Sequence, residues 1–297
     1  MKTPTFQNLV IAYTATDTGQ DALNLGIAMA RTSGAQLRLV TVVPEDNVFS
    51  AIYPADRGHV PIIEEQVRGW LEEAQSALPA DISATIHTVG GSSDAAGLLK
   101  AAEELNGSAI ILGGQGDGLL RRYRLGSTAT TLLHSSPVPV ILAPGGYKNQ
   151  ERLARLTCMF GERPGAEAVI QYSLLASQAF LMPLRLVSLL FLDRQQADFL
   201  PEGTETADLI AQVEAFGNAQ LASQAADLVT KQRASTVVAT GKNVHEAVDQ
   251  LTWLDEELVI FGSSRLASTR HTFLGATAAK ILRHISAPMM VIPAEAT

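Results

Sequence analysis

Short, fully apolar runs alternate with longer amphipathic runs along the chain, and this alternation predicts strands and helices in turn. The apolar runs at Leu9–Tyr13, Leu37–Val43 and Ser108–Leu112 are rich in aliphatic residues, which is typical of strands buried on both faces. Between them, apolar residues recur at helical spacing in Asp21–Thr32 and Asp94–Leu105. Strands that alternate with helices predict a parallel, doubly wound α/β sheet.

Four more elements complete the pattern of the first half. Helices are predicted at Ile62–Leu78 and Thr128–His134, and strands at Ile82–Val89 and Val138–Ala143. The polar stretch Thr14–Gln20 predicts a turn before the first helix. Side chains that can cap a helix precede two of the helices, at Thr16, Asp17, Thr18, Ser92 and Ser93.

The pattern starts again after a turn-rich linker, Pro144–Asn149. Leu37-Arg-Leu-Val40 recurs 147 residues later as Leu184-Arg-Leu-Val187. Three single residues recur 149 residues later, and the pairs are Gly113 and Gly262, Gly126 and Gly275, and Pro139 and Pro288. Four matches in register predict a tandem duplication with a boundary near residues 147–151. We therefore expect two domains of similar fold, residues 1–147 and 151–297.

A glycine-rich turn in the first repeat connects a predicted strand to a predicted helix. Gly113 and Gly116 follow the strand, and Gly126 and Ser127 come after nine further residues. Glycine lacks a Cβ, so its backbone N–H can approach a ligand closely, and a helix N-terminus adds N–H donors and a positive dipole end. Ligands of doubly wound sheets bind at the carboxyl ends of the strands, where the strand order reverses. The spacing therefore indicates a phosphate site.

Composition and charge narrow the class of protein. The 297-residue chain is 46% hydrophobic and 18% charged, which is typical of a globular protein long enough for two cores. Its formal net charge of −8 argues against nucleic-acid binding through an overall basic surface, although a small anion can still bind local backbone donors. No apolar run reaches about 18 residues, the length of a membrane span. We expect neither nucleic acid nor a membrane as a partner.

The pattern of cysteine, histidine and glycine argues against several other kinds of site. The single cysteine, Cys158, allows no internal disulfide, and its apolar surroundings predict a buried small hydrophobe. Together with an N-terminus unlike a signal peptide, this predicts a cytoplasmic protein. The six histidines show no spacing typical of metal ligands, so no metal site of the protein is expected. Gly241 and Lys242 lack the rest of a P-loop, and no G-x-S-x-G is present.

The complete arrangement around the glycine turn resembles a known signature. Gly113, Gly116, Gly126-Ser127, a helix and then Pro139-Val140-Ile141-Leu142 are similar to the ATP-binding signature of the universal stress protein (UspA-type) family. Over its length the chain looks like a tandem pair of such domains. The resemblance implies two doubly wound, Rossmann-like parallel sheets of the adenine-nucleotide alpha hydrolase-like class, each of about five strands. It also implies dimer-like packing of the domains, and regulation under stress more than turnover.

By this resemblance, twelve residues of the first domain form an ATP site. Ribose and phosphates would contact Gly113, Gly114, Gln115 and Gly116. The helix start would present N–H groups and hydroxyls to the phosphates from Gly126, Ser127, Thr128 and Ala129. Adenine would lie against Ala12, Tyr13, Thr14 and Val42. The implied cofactor is ATP, with any Mg²⁺ carried by the nucleotide.

Both halves depart from the family pattern. Thr14 stands where the family commonly has Asp, and a hydroxyl cannot accept hydrogen bonds as a carboxylate does. Asp17 lies three positions further on, and we interpret it as an N-cap before a substitute ligand. In the second half, Arg265 replaces the second glycine and Ala276 replaces the hydroxyl, and Glu162 does not restore the phosphate site. We therefore expect the nucleotide in the N-terminal domain only.

Two other functions stay open at this point. One is slow ATP hydrolysis, for which Asp17 and Asp117 are the only carboxylates near the loop in sequence. The other is a nucleotide-free scaffold for protein partners, which Thr14 in place of the family's Asp supports.

The loop between Gly116 and Gly126 also contains three arginines, Arg121, Arg122 and Arg124. We interpret them as solvated rather than as triphosphate ligands. A chain with two similar domains could also pair into a homodimer.

Overall fold

The protein is composed of two α/β units. A computed structural model describes residues 5–44, 60–114, 123, 125–148, 151–161, 166–191, 206–224, 233–263, 272 and 274–293. One compact unit spans Thr5–Arg152, and the other begins at Leu153. Each contains five parallel strands joined by helices. The predicted fold class is confirmed.

The first unit alternates strand and helix. Its strands are β1 (Asn8–Ala12), β2 (Gln36–Pro44), β3 (Ala84–Gly91), β4 (Ala109–Gly113) and β5 (Val140–Ala143). Neighbouring strands are parallel, in the order β3-β2-β1-β4-β5. The described helices are α1 (Asp17–Ser33), α2 (Val60–Ser76), α3 (Asp94–Glu104) and α4 (Ser127–Ser135). The strand order reverses between β1 and β4, which is the position where such sheets bind ligands.

The second unit has the same topology. Its strands are β6 (Arg155–Met159), β7 (Leu184–Phe191), β8 (Ala234–Gly241), β9 (Glu257–Gly262) and β10 (Met289–Ile292), in the order β8-β7-β6-β9-β10. The described helices are α5 (Ala166–Phe180), α6 (Thr206–Gln224), α7 (Val244–Asp249) and α8 (Ala276–Leu282). Leu9 pairs with Leu37 in the first unit, and Leu156 pairs with Leu184 in the second. The register of the repeat is therefore preserved in three dimensions.

Helix α1 begins earlier than the sequence predicted. It starts at Asp17, so the predicted turn Thr14–Gln20 is wrong over its second half. Thr16 is the N-cap, because its backbone is extended and its side chain accepts the N–H of Gly19 at 3.3 Å. Asp17 is thus the first helical residue, and its interpretation as an N-cap is wrong. Its carboxylate still lies in the first turn, where the helix dipole favours negative charge.

The central strands are buried on both faces, as their apolar runs predicted. Leu9, Val10 and Ile11 of β1 have no exposed surface, and the same is true of Ile110 and Ile111 in β4. Burial of this much aliphatic surface is the main favourable term in folding. The two strands on either side of the reversal therefore form a rigid base for the residues that follow them.

A buried charged cluster lies at the amino ends of the strands in the second unit. Glu257, at the start of β9, is fully buried and accepts hydrogen bonds from Arg155 at 2.5 Å and Arg185 at 2.8 Å. Thr157 donates to the same carboxylate. The Arg185 guanidinium also lies 5.1 Å from the centre of the Trp253 ring. Since a buried charge is tolerated only when paired and hydrogen-bonded, these partners must assemble together.

Candidate functional site

A cleft of about 440 Å³ opens at the carboxyl ends of β1, β2 and β4, where the strand order reverses. We call it the switch-point cleft. Its lining consists of Ala12, Tyr13, Thr14, Thr16, Thr18, Gly19, Val40, Val42, Asp94, Leu98, Leu112, Gly113, Gly126, Ser127, Thr128 and Ala129. Nine of the twelve residues predicted for a nucleotide site are in this lining. The lining as a whole brings five separate parts of the sequence to one place.

Three of the twelve predicted residues are not in the lining. Gly114 lies in a neighbouring cleft. Gln115 and Gly116 lie outside the described residues, as do Asp117, Arg121, Arg122, Arg124, Glu162 and Arg265. The described part of the site is therefore the strand ends and the helix starts, without the loop between them.

One side of the switch-point cleft is apolar. Val40 and Val42 of β2, Leu112 of β4 and Leu98 of α3 line it. Helix α3 can approach β2 because Gly97 has no side chain, and a Cβ there would lie 2.5 Å from Val42 Cγ1. A flat apolar group would fit against this surface, since ligand clefts are lined mainly by apolar side chains with a few polar groups to fix orientation.

The other side is polar and is formed by the start of α4. Gly126 is the N-cap, with an extended backbone at φ −73° and ψ 172°, and it has no side chain to cap the helix. The first amides of a helix have no acceptor within the helix, and the dipole is positive at that end. The backbone of Ser127, Thr128 and Ala129 therefore offers N–H groups suited to an anion.

The glycines that end β4 have a packing role that the sequence did not reveal. A Cβ on Gly113 would lie 1.9 Å from the carbonyl oxygen of Thr18, so only glycine lets β4 end against the first turn of α1. The N–H of Gly114 donates to the carbonyl of Ala143 at 2.7 Å, which extends the pairing of β4 with β5. A Cβ on Gly114 would lie 2.7 Å from the ring of Tyr123. The amide of Gly114 is thus engaged within the protein.

The end of β1 is tightly constrained around Thr14. Its hydroxyl hydrogen-bonds the hydroxyl of Thr16 at 2.9 Å, and its carbonyl accepts the Thr16 N–H at 2.7 Å. Gly19 packs directly on it, since a Cβ there would lie 2.0 Å from the Thr14 carbonyl oxygen. Tyr13 is nearly buried, and burial, followed by the nearby Glu73 carboxylate, raises the pKa of its phenol. Tyr13 is therefore a neutral group in this cleft.

Asp94 is a lining residue that the sequence analysis did not assign to the site. It is the first residue of α3, and the hydroxyl of Thr128 lies 3.4 Å from its Oδ2. The sequence placed Asp94 only at the start of a helix. Its position just after β3 could have indicated a site residue, because the carboxyl ends of parallel strands lie at the same edge of the sheet. Its proximity to α4, however, depends on the close packing of α3 against Val42.

The neighbouring cleft, of about 430 Å³, lies between α1 and the linker that follows β5. We call it the linker cleft, and its lining consists of Asp17, Thr18, Gln20, Asp21, Asn24, Gly114, Gly145, Gly146, Tyr147 and Lys148. The buried Asp21 carboxylate accepts the N–H of Gly146 at 2.9 Å, and Asn24 donates to the carbonyl of Tyr147 at 2.9 Å. These bonds attach the linker to α1. Asp17 lies here and not in the switch-point cleft, so it is poorly placed as a substitute nucleotide ligand.

The second unit keeps part of the equivalent structure. Gly275 is the N-cap of α8 with φ −68° and ψ 159°, close to the geometry of Gly126. The N–H of Ser263 donates to the carbonyl of Ile292 at 3.1 Å, as Gly114 does to Ala143. The helix start is therefore retained, but the position after its N-cap is Ala276 instead of Ser127.

The described residues offer little for metal or thiol chemistry. Among them, no group of three or more His, Cys, Asp or Glu side chains is placed to hold a metal ion. Cys158 is fully buried, as predicted, and burial raises the pKa of its thiol to about 12. The thiolate, which is the reactive form, is therefore scarce at neutral pH. No helix in the described ranges has both the length and the apolar character needed to cross a membrane.

Known proteins share both the sequence pattern and the fold. A sequence model described as the universal stress protein family matches residues 5–144 and again residues 159–293. The chain belongs to the universal stress protein family. The two matches confirm the predicted tandem form of the family, with one copy in each half of the chain.

Relatives that align over nearly the whole of this chain are known in this family. Universal stress protein Rv2319c of Mycobacterium tuberculosis is 31% identical over 297 residues, which covers 96% of this chain and 99% of that protein. A universal stress protein from Archaeoglobus fulgidus has a solved structure with a TM-score of 0.60, 16% identity and coverage of 97% of this chain and 98% of that one. A putative universal stress protein from Pseudomonas aeruginosa matches with a TM-score of 0.58 and 12% identity, covering 97% and 93%. At such identities these two structures support the fold alone.

Proposed function

We propose that this universal stress protein binds an adenine nucleotide, with ATP as the expected ligand, in the switch-point cleft of its first domain. The observation that carries the proposal is the division of that cleft into an apolar side and a helix start whose N-cap residue makes no side-chain hydrogen bond. A nucleotide has the same division, because its base is flat and largely apolar and its phosphates are anionic. Adenine would lie against Val42 and Leu98, and the phosphates at Ser127 and Thr128.

Binding at the first domain only is the second part of the proposal. The second domain retains the helix start at Gly275, but it has Ala276 and Arg265 where the first domain has Ser127 and Gly116. A missing hydroxyl removes a donor, and an arginine side chain occupies space that glycine leaves open to a phosphate. The second domain would then serve in packing and partner contact.

The role we propose is regulatory and not catalytic. Phosphoryl transfer to water needs a group that positions or activates the water. Of the two carboxylates named from the sequence, Asp17 lies in the linker cleft and Asp117 lies outside the described residues. Asp94 does line the switch-point cleft, and we assign it below to the sugar and not to the attacking water. Any Mg²⁺ would arrive with the nucleotide, held by its phosphates.

The cytoplasm is the location we propose, because the single cysteine allows no internal disulfide of the kind common in proteins of oxidising compartments. A homodimer is the assembly we propose for a chain with two similar domains.

A carboxylate at the start of α4 tests the site. Ser127 is exposed at the first position of the helix, where Asp is favoured by the dipole, so Ser127→Asp is expected to keep the fold. Its charge would repel the phosphates and weaken ATP binding at least about 10-fold, because like charges a few Å apart near a protein surface repel by more than the 1.4 kcal/mol that this requires. Isothermal titration with ATP measures the loss.

The matched control is Thr131→Asp. Thr131 is exposed on the same helix and is outside the cleft lining. Its substitution by Asp therefore adds the same charge to the same helix. We expect the control to bind ATP as the parent does. If Ser127→Asp binds ATP as tightly as the parent, the phosphates do not lie at the start of α4. If the parent binds no adenine nucleotide, the scaffold function replaces this proposal.

A further inference from the structure

Asp94 lies at the boundary between the apolar and the polar sides of the switch-point cleft. It lines the cleft together with Leu98, which is one helical turn later in α3 and belongs to the apolar side. On its other side is Thr128 of the polar helix start, whose hydroxyl lies 3.4 Å from Asp94 Oδ2. Among the described lining residues, Asp94 is the one acidic side chain. A carboxylate therefore lies between the places proposed for the base and for the phosphates.

The chemistry of this position favours one part of a nucleotide. In any nucleotide the sugar connects the base to the phosphates, so the group that lies at this boundary is the ribose. Ribose hydroxyls are hydrogen-bond donors, and an ionised carboxylate is an acceptor with about four lone-pair sites. The 3.4 Å contact with Thr128 is long for a hydroxyl donor, so the carboxylate keeps capacity for stronger bonds.

We propose that Asp94 accepts hydrogen bonds from the ribose hydroxyls and makes the cleft selective for ribonucleotides over 2′-deoxyribonucleotides. This inference rests on the proposed function, since it assigns a sugar contact within the same site. Asp94 is exposed in the free protein, and a nucleotide bound in the cleft would cover its carboxylate. Removing the 2′-hydroxyl would then leave a covered carboxylate oxygen with one donor fewer. Such a loss is the strongest form of discrimination available to a polar site.

The first turn of α3 holds Asp94 in place. Ser93 caps the helix, its hydroxyl accepting the N–H of Ala96 at 3.2 Å. Gly91 at the end of β3 packs directly against Gly97, where a Cβ on Gly91 would lie 2.7 Å from the Gly97 N atom. The turn is thus fixed against the ends of β2 and β3 before any ligand binds. A preorganised acceptor loses little entropy on binding, which increases its contribution to affinity.

The test compares ATP with 2′-deoxyATP by isothermal titration on the full chain. For the parent we expect ATP to bind about 10-fold more tightly, as for a hydrogen bond to a charged partner. For Asp94→Ala we expect ATP affinity to fall about 10-fold and the ratio between the two nucleotides to approach one. The control is Glu104→Ala, which removes an exposed carboxylate from the last turn of the same helix and leaves the ratio unchanged.

Each outcome decides between the two proposals. If the parent binds ATP and 2′-deoxyATP equally, the 2′-hydroxyl contact and the proposed selectivity are wrong, whereas the nucleotide site itself stands. If Asp94→Ala weakens both nucleotides by the same factor, the carboxylate acts on the phosphates or a bound cation, and the ribose assignment is wrong. If neither nucleotide binds the parent, both proposals fail. The comparison on the parent needs no variant, so it can overturn the proposed selectivity even if Asp94→Ala does not fold.

Discussion

Gly113 shows how a single missing methyl group shapes this protein. Its position is equivalent to Gly262 in the second domain, but the surroundings differ. A Cβ on Gly113 would lie 1.9 Å from a backbone oxygen of α1, whereas a Cβ on Gly262 would lie 3.2 Å from the side chain of Val169. Backbone cannot move aside without displacing a helix, and a side chain can adjust by a few tenths of an ångström. Glycine is therefore required by the backbone in the first copy, whereas the second copy leaves more room for a Cβ.

This difference predicts unequal effects of the same substitution. Gly113→Ala should lower the free energy of unfolding by about 1–3 kcal/mol, as overpacking does in other proteins. Gly262→Ala should change it by less than about 1 kcal/mol, because the neighbour is a side chain and alanine also restricts the unfolded chain. Urea denaturation followed by circular dichroism measures both variants, with Gly262→Ala as the matched control. Equal losses would mean that the close approach of Gly113 to Thr18 is not a real constraint.

At the scale of elements, the helix starts near the switch-point cleft divide into two kinds. Helix α1 is capped by Thr16, and α3 is capped by Ser93, so side chains satisfy some of their first amides. Helix α4 follows Gly126, an N-cap residue that has no such side chain. Capping groups compete with a ligand for the same donors. The uncapped start is thus the one suited to an anion, and the capped starts position the residues around it.

The cap of α3 offers a prediction that links an element to the site. Ser93→Ala should cost about 1 kcal/mol of stability by removing the cap. It should also weaken ATP binding, since the first turn that fixes Asp94 would fray. Asn243→Ala is the matched control, because Asn243 caps α7 at the equivalent position of the second domain by accepting the N–H of Glu246 at 3.0 Å. Thermal unfolding and ATP titration measure the two effects.

We expect both variants to lose similar stability and only Ser93→Ala to lose affinity. Should Asn243→Ala weaken ATP binding by the same factor, the loss would reflect general destabilisation. Should Ser93→Ala bind ATP as the parent does, the first turn of α3 does not need its cap to hold the site.

At the scale of the whole molecule, the two domains share a topology but differ in their sites. The strand order and the register of the first two strands are the same in both. A sheet of this kind is stable without a ligand, because its strands are buried by the helices on its faces. The fold therefore does not depend on the residues that we propose to bind a ligand.

We predict that the chain binds one adenine nucleotide and not two. Native mass spectrometry of the full chain with saturating ATP should show a single added nucleotide per chain. Two nucleotides per chain would contradict our interpretation of Ala276 and Arg265 in the second domain. The same measurement gives the mass of the assembly and so tests the homodimer.

The sequence predicted the fold well because the signal was local. Fully apolar strands and helical spacing are patterns within short windows. In the first domain, every predicted element end except the start of α1 lies within two residues of the observed one. The start of α1 was predicted too late, since Thr16, Asp17 and Thr18 can all cap a helix and only the backbone conformation distinguishes them. Nine of the predicted site residues line one cleft. They were found because the spacing of the glycine signature in the family indicates which strand ends lie next to each other.

Contacts between distant segments were beyond the reach of these patterns. The role of Gly113 against Thr18 and the engagement of Gly114 with Ala143 depend on how α1 and β5 pack, not on spacing in the sequence. Asp94 reaches the cleft only because Gly97 lets α3 approach Val42. The pattern of apolar and polar residues along the sequence does not record such contacts, since each contact requires that two elements are already packed together.

The sequence by itself determined the α/β class, the duplication and the location of the candidate site. Buried strands, amphipathic helices and glycine turns can be recognised from residues that are adjacent in the chain. Only the tertiary structure decided which glycines serve packing and which carboxylates face which cleft. It alone brought Glu257 together with Arg155 and Arg185, three residues more than 25 positions apart in the chain. The physical reason is that burial, steric contact and charge pairing depend on distance in space, which the order of residues does not record.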